Sequence, residues 1–509
     1  MLRRNLSSRI QMKRLIAQQK SHQRSIGGSL VGNIFKTKIG DGTLNIIGRA
    51  DKVRLNTINK TSRNIREKYS QYLTPPETAL TAVSMFSKTK NPKIDCLDLG
   101  AGTGILTVAL YERFKNKINK IDAVEIDKVL SSILSKELSS LNIPYELIIG
   151  DAFTKTPNKK YDCIILNPPY KKMKADDARQ KLLPCNVANL YAAFMLIGLT
   201  HLKKYGEMIA IVPRSWTNGQ YFNAFRKYIF NNYSLDFMHI YGSRKDIFSD
   251  TNVLQETMIV KFSKQRQTHE IFVSYSESKS DNVKLNLYKA DELINFNDLT
   301  VRVVPKSDKL PFSTIKAVGL CPSTGKIVDF RNKDSLYKDN PHLSDVYPLF
   351  YAGNFVENKI LHPRNFGKPQ WFLAKEPKQK RTLIQPGAYT IIKRFTSKEE
   401  KKRVVAYPLV IKNPVALENH LNFIHEGTSR KVVPLRSKRL AEGLALWCNS
   451  SLIDEWFRGI SGSTQVNASD IKQFPCPTLK ELEKMGRFWK WNLTQEEIDK
   501  IVEKNNGIK

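Results

Sequence analysis

Asp95-Cys96-Leu97-Asp98-Leu99-Gly100-Ala101-Gly102-Thr103-Gly104 runs from a short apolar strand into a glycine-rich turn, and a helical pattern over 105–114 continues it. Glycine has no Cβ, so such a turn can be tight and a ligand can approach its backbone closely. Outward from this stretch the same rhythm repeats. Strands are expected at 95–99, 120–125, 145–149, 163–166, 208–212 and 257–262, with helical stretches such as 187–202 between them. Short apolar runs alternating with helices imply an α/β fold on a parallel, doubly wound, Rossmann-like sheet.

Many nucleotide-like ligands sit on a glycine turn after a strand, and three acids narrow the choice. Asp98 precedes the turn, whose glycines at 100, 102 and 104 are spaced unlike the G-x-G-x-x-G of dinucleotide sites. Glu125 ends the next strand, where a carboxylate can accept both hydroxyls of a ribose. Asp151, in Gly150-Asp151-Ala152-Phe153, ends the third, where it can accept from an adenine amine. Each acid alone could be a helix cap. Three at successive strand ends point to S-adenosylmethionine, bound at the carboxyl ends of the strands. Gly100, Gly102 and Gly104, with Ile126 and Ala152 beside the acids, complete that expected cofactor set.

After the fourth strand comes Asn167-Pro168-Pro169-Tyr170. In isolation this is a stiff turn, since Asn-Pro starts turns and a proline pair rigidifies them. Beside a methyl-donor loop it has a chemical meaning. The exocyclic amine of adenine is a poor nucleophile because its lone pair is delocalised into the ring. The Asn167 side-chain carbonyl and the Pro168 backbone carbonyl can accept its two N–H bonds, which concentrates electron density on nitrogen and aims it at the methyl group. Proline suits the position because its rigid backbone holds the carbonyl in place. Tyr170 can stack on the base. Such a base must leave the duplex to be reached, and Phe248 is the candidate for the other face of the clamp, the plain alternative being a core residue. No titrating general base and no metal are expected.

The 509 residues carry 82 Lys and Arg against 48 Asp and Glu, a net charge of +34 that makes a polyanion the natural partner. Six cysteines without a C-x-x-C pair argue for free thiols in a reducing cytoplasm and against a zinc site or a disulfide frame. No apolar run is long enough to span a membrane. Residues 1–70 are basic and weakly periodic and read as a flexible or helical arm; 71–265 hold the strand–helix alternation; 266–509 change to short strand-like pieces and then helices, the clearest at 435–457 and 495–504.

The glycine loop followed by Asn167-Pro168-Pro169-Tyr170, preceded by Gln71-Tyr72-Leu73-Thr74-Pro75-Pro76, resembles the gamma class of N6-adenine DNA methyltransferases of restriction-modification systems. The pieces Ile392-Lys393-Arg394-Phe395-Thr396-Ser397-Lys398-Glu399-Glu400 and Ser461-Gly462-Ser463-Thr464-Gln465-Val466-Asn467-Ala468-Ser469-Asp470 are similar to modification methylases of the BsuBI/PstI type. The resemblance implies a class I S-adenosylmethionine-dependent methyltransferase domain at 71–265 and a mixed α+β target-recognition domain at 266–509. It implies that Thr74 and Pro75 line the methionine end of the cofactor, and that Asp98, Gly100, Glu125, Asp151 and Asn167 contact it. It also implies a monomer acting on double-stranded DNA beside a separate cognate restriction endonuclease. Adenine methylation of RNA, methylation of a protein amide, and a non-catalytic DNA-binding protein on the same fold are the competing readings. The last is disfavoured by the intact tetrad and the three acids.

Overall fold

The computed structural model describes residues 46–61, 73–241, 257–276, 284–303, 310–311, 313–356, 359–396, 400–461 and 465–506. The chain divides into two compact units, Met1–Pro305 and Lys306–Lys509.

The first unit is built on a nine-stranded sheet. Its strands are β1 (Ile94–Leu99), β2 (Ile118–Glu125), β3 (Tyr145–Ile149), β4 (Tyr161–Leu166), β5 (Leu202–Pro213), β6 (Ser234–Tyr241), β7 (Thr257–Ser263), β8 (Glu270–Ser276) and β9 (Lys284–Lys289), in the spatial order β3-β2-β1-β4-β5-β7-β6-β8-β9. The pairs β3–β2, β2–β1, β1–β4 and β4–β5 are parallel, and β7 enters antiparallel between β5 and β6. Successive side chains of β4 alternate between two cores. Ile164 and Leu166 join one face, Cys163 and Ile165 the other, and all four are buried. Burial on both faces is why β4 reads as a continuous apolar run.

Helices cover the two faces. On one lie α1 (Ile46–Lys60), α2 (Pro76–Ser84) and α3 (Ile105–Phe114), through Ile47, Ala82, Leu106 and Leu110. On the other lie α6 (Leu190–Thr200) and α7 (Asn223–Asn232), through Tyr191, Leu196, Phe225 and Ile229. Between them in sequence come α4 (Lys128–Ser139), capped by the Asp127 carboxylate, and the single turn α5 (Ala152–Lys155), capped by Asp151. The basic arm expected over 1–70 therefore contains a packed helix, α1, while residues 1–45 lie outside the described ones. The sheet also runs past residue 265: β8 and β9 extend its edge. The strand order reverses direction at β1, so the crevice between the β1 and β4 ends is where a ligand belongs.

The second unit mixes sheets and helices. Its main sheet holds β10 (Cys321–Thr324), β11 (Gly387–Lys393), β12 (Ala406–Ile411) and β13 (Leu421–Gly427), in the order β10-β13-β11-β12, all antiparallel. One face, with Ile392, Ala406 and Ile424, packs under α8 (Lys438–Cys448) through Leu440, Leu444 and Trp447. The single helix expected at 435–457 is two helices, α8 and α9 (Ser451–Ile460). The break is caused by Asn449 and Ser450. The Asn449 side chain accepts from the Ala406 N–H (3.0 Å) and donates to the Ala406 carbonyl (2.7 Å), tying the turn to β12. Ser450 then caps α9. All six cysteines are free, as expected, and all but Cys185 are buried.

Candidate active site

The turn after β1 is held from both sides. Backbone N–H groups of Gly100 and Ala101 donate to the Val124 carbonyl at 2.9 and 3.0 Å. Gly102 has φ +59°, and a Cβ there would lie 3.2 Å from Leu73. Gly104, at the head of α3 with φ +91°, would push a Cβ to 2.8 Å from Leu134. The left-handed backbone at Gly104 strains any L side chain, which is why glycine stands there; the Leu134 tip would also have to shift.

Glu125, at the end of β2, accepts from the Gly102 N–H and from the Asp127 N–H, each at 2.8 Å. It is 7% exposed, and burial raises its pKa. A carboxylate offers about four acceptor sites, so Glu125 fixes the loop and keeps capacity for a ligand. Asp98 is fully buried. Its Oδ2 accepts from Thr107 Oγ1 at 2.6 Å, and its Oδ1 has no hydrogen-bond partner. Burial pushes this carboxyl up to about 7; the Thr107 hydrogen bond opposes the shift and the neighbouring Glu125 charge adds to it.

Asp151 accepts from the Phe153 N–H at 3.1 Å and lies 3.5 Å from a guanidinium nitrogen of Arg179. Ala152 is buried, and Ile126 beside Glu125 is 57% exposed.

The tetrad follows β4. The Asn167 side-chain amide donates to Thr74 Oγ1 at 2.9 Å, joining the segment before α2 to the tetrad. The Tyr170 hydroxyl lies 3.1 Å from Asn167 Oδ1 and 3.0 Å from the Ile211 carbonyl, two acceptors for one proton. Its ring meets Tyr191 edge-on, with centroids 6.3 Å apart. Pro168 is buried. Because β3, β2, β1 and β4 are parallel neighbours, Asp151, Glu125, Asp98 and Asn167 all emerge at one edge of the sheet. Phe248 lies outside the described residues.

The chain is 33% identical over 502 residues to the type II methyltransferase M.BsuBI of Bacillus subtilis, spanning 90% of this chain and 97% of that one. It belongs to the type II methyltransferases of restriction-modification systems. M.PstI of Providencia stuartii is 30% identical with the same coverage. Residues 50–248 match the Eco57I restriction-modification methylase family, a span from within α1 to beyond β6. The type IIL restriction-modification enzyme MmeI, solved in complex with DNA, shares the fold with a TM-score of 0.52 at 14% identity, over 92% of this chain and 76% of that one. The protein is thus an S-adenosylmethionine-dependent DNA methyltransferase on a class I fold. No helix among the described residues is long and apolar enough to cross a membrane.

The chain's own residues fit the methyltransferase's cofactor. Asp98 Oδ1 is a buried carboxyl oxygen without a hydrogen-bond partner, and a carboxyl whose charge burial disfavours gains a counter-charge from a cationic ligand. The glycine turn leaves room where a Cβ would intrude, and exposed Ile126 offers an apolar wall next to Glu125. Two aromatic neighbours of this edge carry no motif. Phe194, from α6, stands 3.5 Å from where a Gly100 Cβ would be, and Phe153 meets it edge-on at 6.0 Å. Phe194 lies inside a helix that is apolar all round, so no periodicity singled it out.

Proposed function

We propose that this methyltransferase methylates the N6 amine of an adenine swung out of double-stranded DNA, with the Asn167–Tyr170 tetrad as the amine site and the Asp98–Gly104 turn, Glu125 and Asp151 as the cofactor site. One observation carries the reading: the tetrad follows β4 at the sheet edge that also presents Asp98 and Glu125, and Thr74 is bonded directly to Asn167. Thr74 and Pro75 line the methionine end of the pocket, Asp98 holds its cationic group, Glu125 takes the ribose hydroxyls, and Asp151 with Ala152 and Ile126 takes the adenine. When bound, S-adenosylmethionine supplies an electrophilic methyl on a positively charged sulfur.

The residues do the rest. Asn167 Oδ1 and the Pro168 carbonyl accept the two amine hydrogens, so the nitrogen lone pair is freed from the ring and aimed. Held this way, the nitrogen would face the transferable methyl of a bound donor and would give up its proton to water. Tyr170 turns its ring to the base. For that it must release Asn167 Oδ1, the acceptor it now faces.

DNA engagement falls to the second unit. Parts of the two segments that the sequence marked, 392–400 and 461–470, lie side by side: the Val466 N–H donates to the Arg394 carbonyl at 2.8 Å, and Phe395 bridges Gln465. Arg394 reaches the Asn419 carbonyl, Gln465 Oε1 and Asn467 Oδ1 at 3.1, 3.4 and 3.4 Å. Phe395, 42% exposed, packs with His420 at 4.6 Å between ring centroids. Amides, a cation and an exposed aromatic together suit base edges and phosphates. A separate cognate restriction endonuclease completes the system.

Transfer of labelled methyl to unmethylated duplex DNA, followed by nucleoside mass spectrometry, tests this. N6-methyladenine in the duplex, absent with Asn167→Ala, supports it. Label confined to cytosine, RNA or protein overturns the substrate.

A further inference from the structure

The segment between the tetrad and α6, residues 171–189, carries nothing that the proposed chemistry uses, yet it is firmly fixed. Gln180 is 8% exposed, and its side chain donates to the Val187 carbonyl (2.7 Å) and the Lys174 carbonyl (3.2 Å) while accepting from the Val187 N–H (3.1 Å). Asp177 caps the turn Ala178–Leu182. This scaffold presents Arg179.

The guanidinium of Arg179 is used on three sides. Its Nε and one terminal nitrogen fork onto Asp177 at 3.0 and 2.7 Å. Its other terminal nitrogen lies 3.5 Å from Asp151 Oδ2. Its flat face lies over the Phe153 ring, 4.9 Å from the centroid. Phe153 in turn meets Phe194. Asp151 and Arg179 are 34% and 36% exposed, so their ion pair contributes little stability. What the arrangement provides is orientation. Asp151 Oδ1 is taken by the Phe153 N–H, and Arg179 stands on the side of Oδ2.

We propose that Arg179 is a positioning residue for the adenine end of the cofactor: clamped on Asp177 and stacked on Phe153, it holds Asp151 Oδ2 where it accepts the exocyclic amine. The inference rests on the reading of Asp151 as the adenine acceptor. Arg179 itself has only donors, so it selects an amine only through the carboxylate it holds. Lysine cannot replace it, because a point charge loses both the fork and the stack.

The test is calorimetric binding of S-adenosylhomocysteine and its 6-deamino analogue to the full-length protein. The wild type is expected to favour the amine-bearing ligand by about tenfold or more, the size of a charge-assisted hydrogen bond. Arg179→Met and Arg179→Lys are expected to bring that ratio below about threefold while leaving the 6-deamino analogue bound within about twofold of wild type. An unchanged ratio in Arg179→Met, or equal weakening of both ligands, overturns the proposal and leaves Arg179 a structural residue. A wild type that does not discriminate, or an Asp151→Ala variant that discriminates as well as wild type, overturns the reading of Asp151 and the proposal with it.

Discussion

Asp98 is a buried carboxyl with one hydrogen bond and a titration point near 7. That gives cofactor binding a pH dependence whose sign is fixed. In the free protein the neutral form is favoured by burial, so below about 7 the proton must leave before a cationic ligand gains its counter-charge. Affinity for S-adenosylmethionine is therefore expected to fall about tenfold per unit below pH 7 and to level off above it, with net proton release on binding near neutrality. Calorimetry in buffers of differing ionisation enthalpy measures both; a flat profile from pH 5.5 to 8 removes Asp98 from the cationic end of the ligand. On the proposed reading, ring and hydroxyl of Tyr170 have separate jobs. The hydroxyl faces Asn167 Oδ1, while stacking needs only the ring. Tyr170→Phe is expected to transfer methyl within about threefold of wild type, and Tyr170→Ala to lose about 10–100-fold in kcat/KM, the worth of one aromatic–base stack. Equal losses in the two variants would move the role from ring to hydroxyl. Asn167→Ala is expected to cost about 10²–10³-fold in kcat, as for loss of one oriented hydrogen-bonding group. Asp98, Glu125 and Asn167 could be singled out in the sequence as candidates because the chemistry expected of them demands particular types within short motifs. Arg179 and Phe194 could not, because they come near Asp151 and Gly100 through space, from segments without a pattern of their own.

Among the elements, legibility mostly followed burial. β1, β2, β4, β5 and β7 are largely buried and stood out as apolar runs; β3, an edge strand without a buried residue, stood out through its run Leu147-Ile148-Ile149, and β5 extends to Leu202–Pro213, beyond the 208–212 expected. β6 did not stand out, because Asp236 and His239 interrupt it. His239 is tolerated there because its two ring nitrogens meet Ser274 Oγ at 2.7 Å and Ser276 Oγ at 3.1 Å on β8. Burial pushes this histidine down to about 4, so it sits neutral in the core. Such partners come from a strand 35 and 37 residues away, and no local pattern announces them. The break between α8 and α9 has the same origin: both sides of it are helical in pattern, and the Asn449 amide decides the matter by pairing with β12. Asn449→Ala leaves the Ala406 N–H and carbonyl buried and unpaired, a cost of about 1–3 kcal/mol. The melting transition of the second unit is expected to fall by about 2–4 °C per kcal/mol; no fall would mean that the helices break there for another reason.

For the whole molecule the dominant quantity is charge. A net +34 over 509 residues makes a field that any polyanion feels, so charge alone speaks for nucleic acid and says nothing of which bases are read. The division of labour shows in salt dependence. Contacts that neutralise phosphates release counterions and steepen the fall of affinity with salt, by about 0.9 in slope for each phosphate on duplex DNA. Contacts to bases do not. Phe395 is uncharged and exposed, stacked near His420 in the cluster that joins 392–395 to 465–467. Phe395→Ala is therefore expected to weaken binding to a duplex holding the mapped target by about tenfold at every salt concentration, with the slope of log K against log salt unchanged. Lys393→Ala is the contrasting case. Its ammonium lies over the Tyr407 ring, 5.5 Å from the centroid, and on the proposed reading it serves a phosphate, so affinity is expected to fall and the slope to drop by about one. Fluorescence anisotropy from 50 to 300 mM salt separates the two. Phe395→Ala binding as tightly as wild type would take the aromatic off the DNA face, and a slope changed by Phe395→Ala would mean that the cluster had been rebuilt and not merely trimmed.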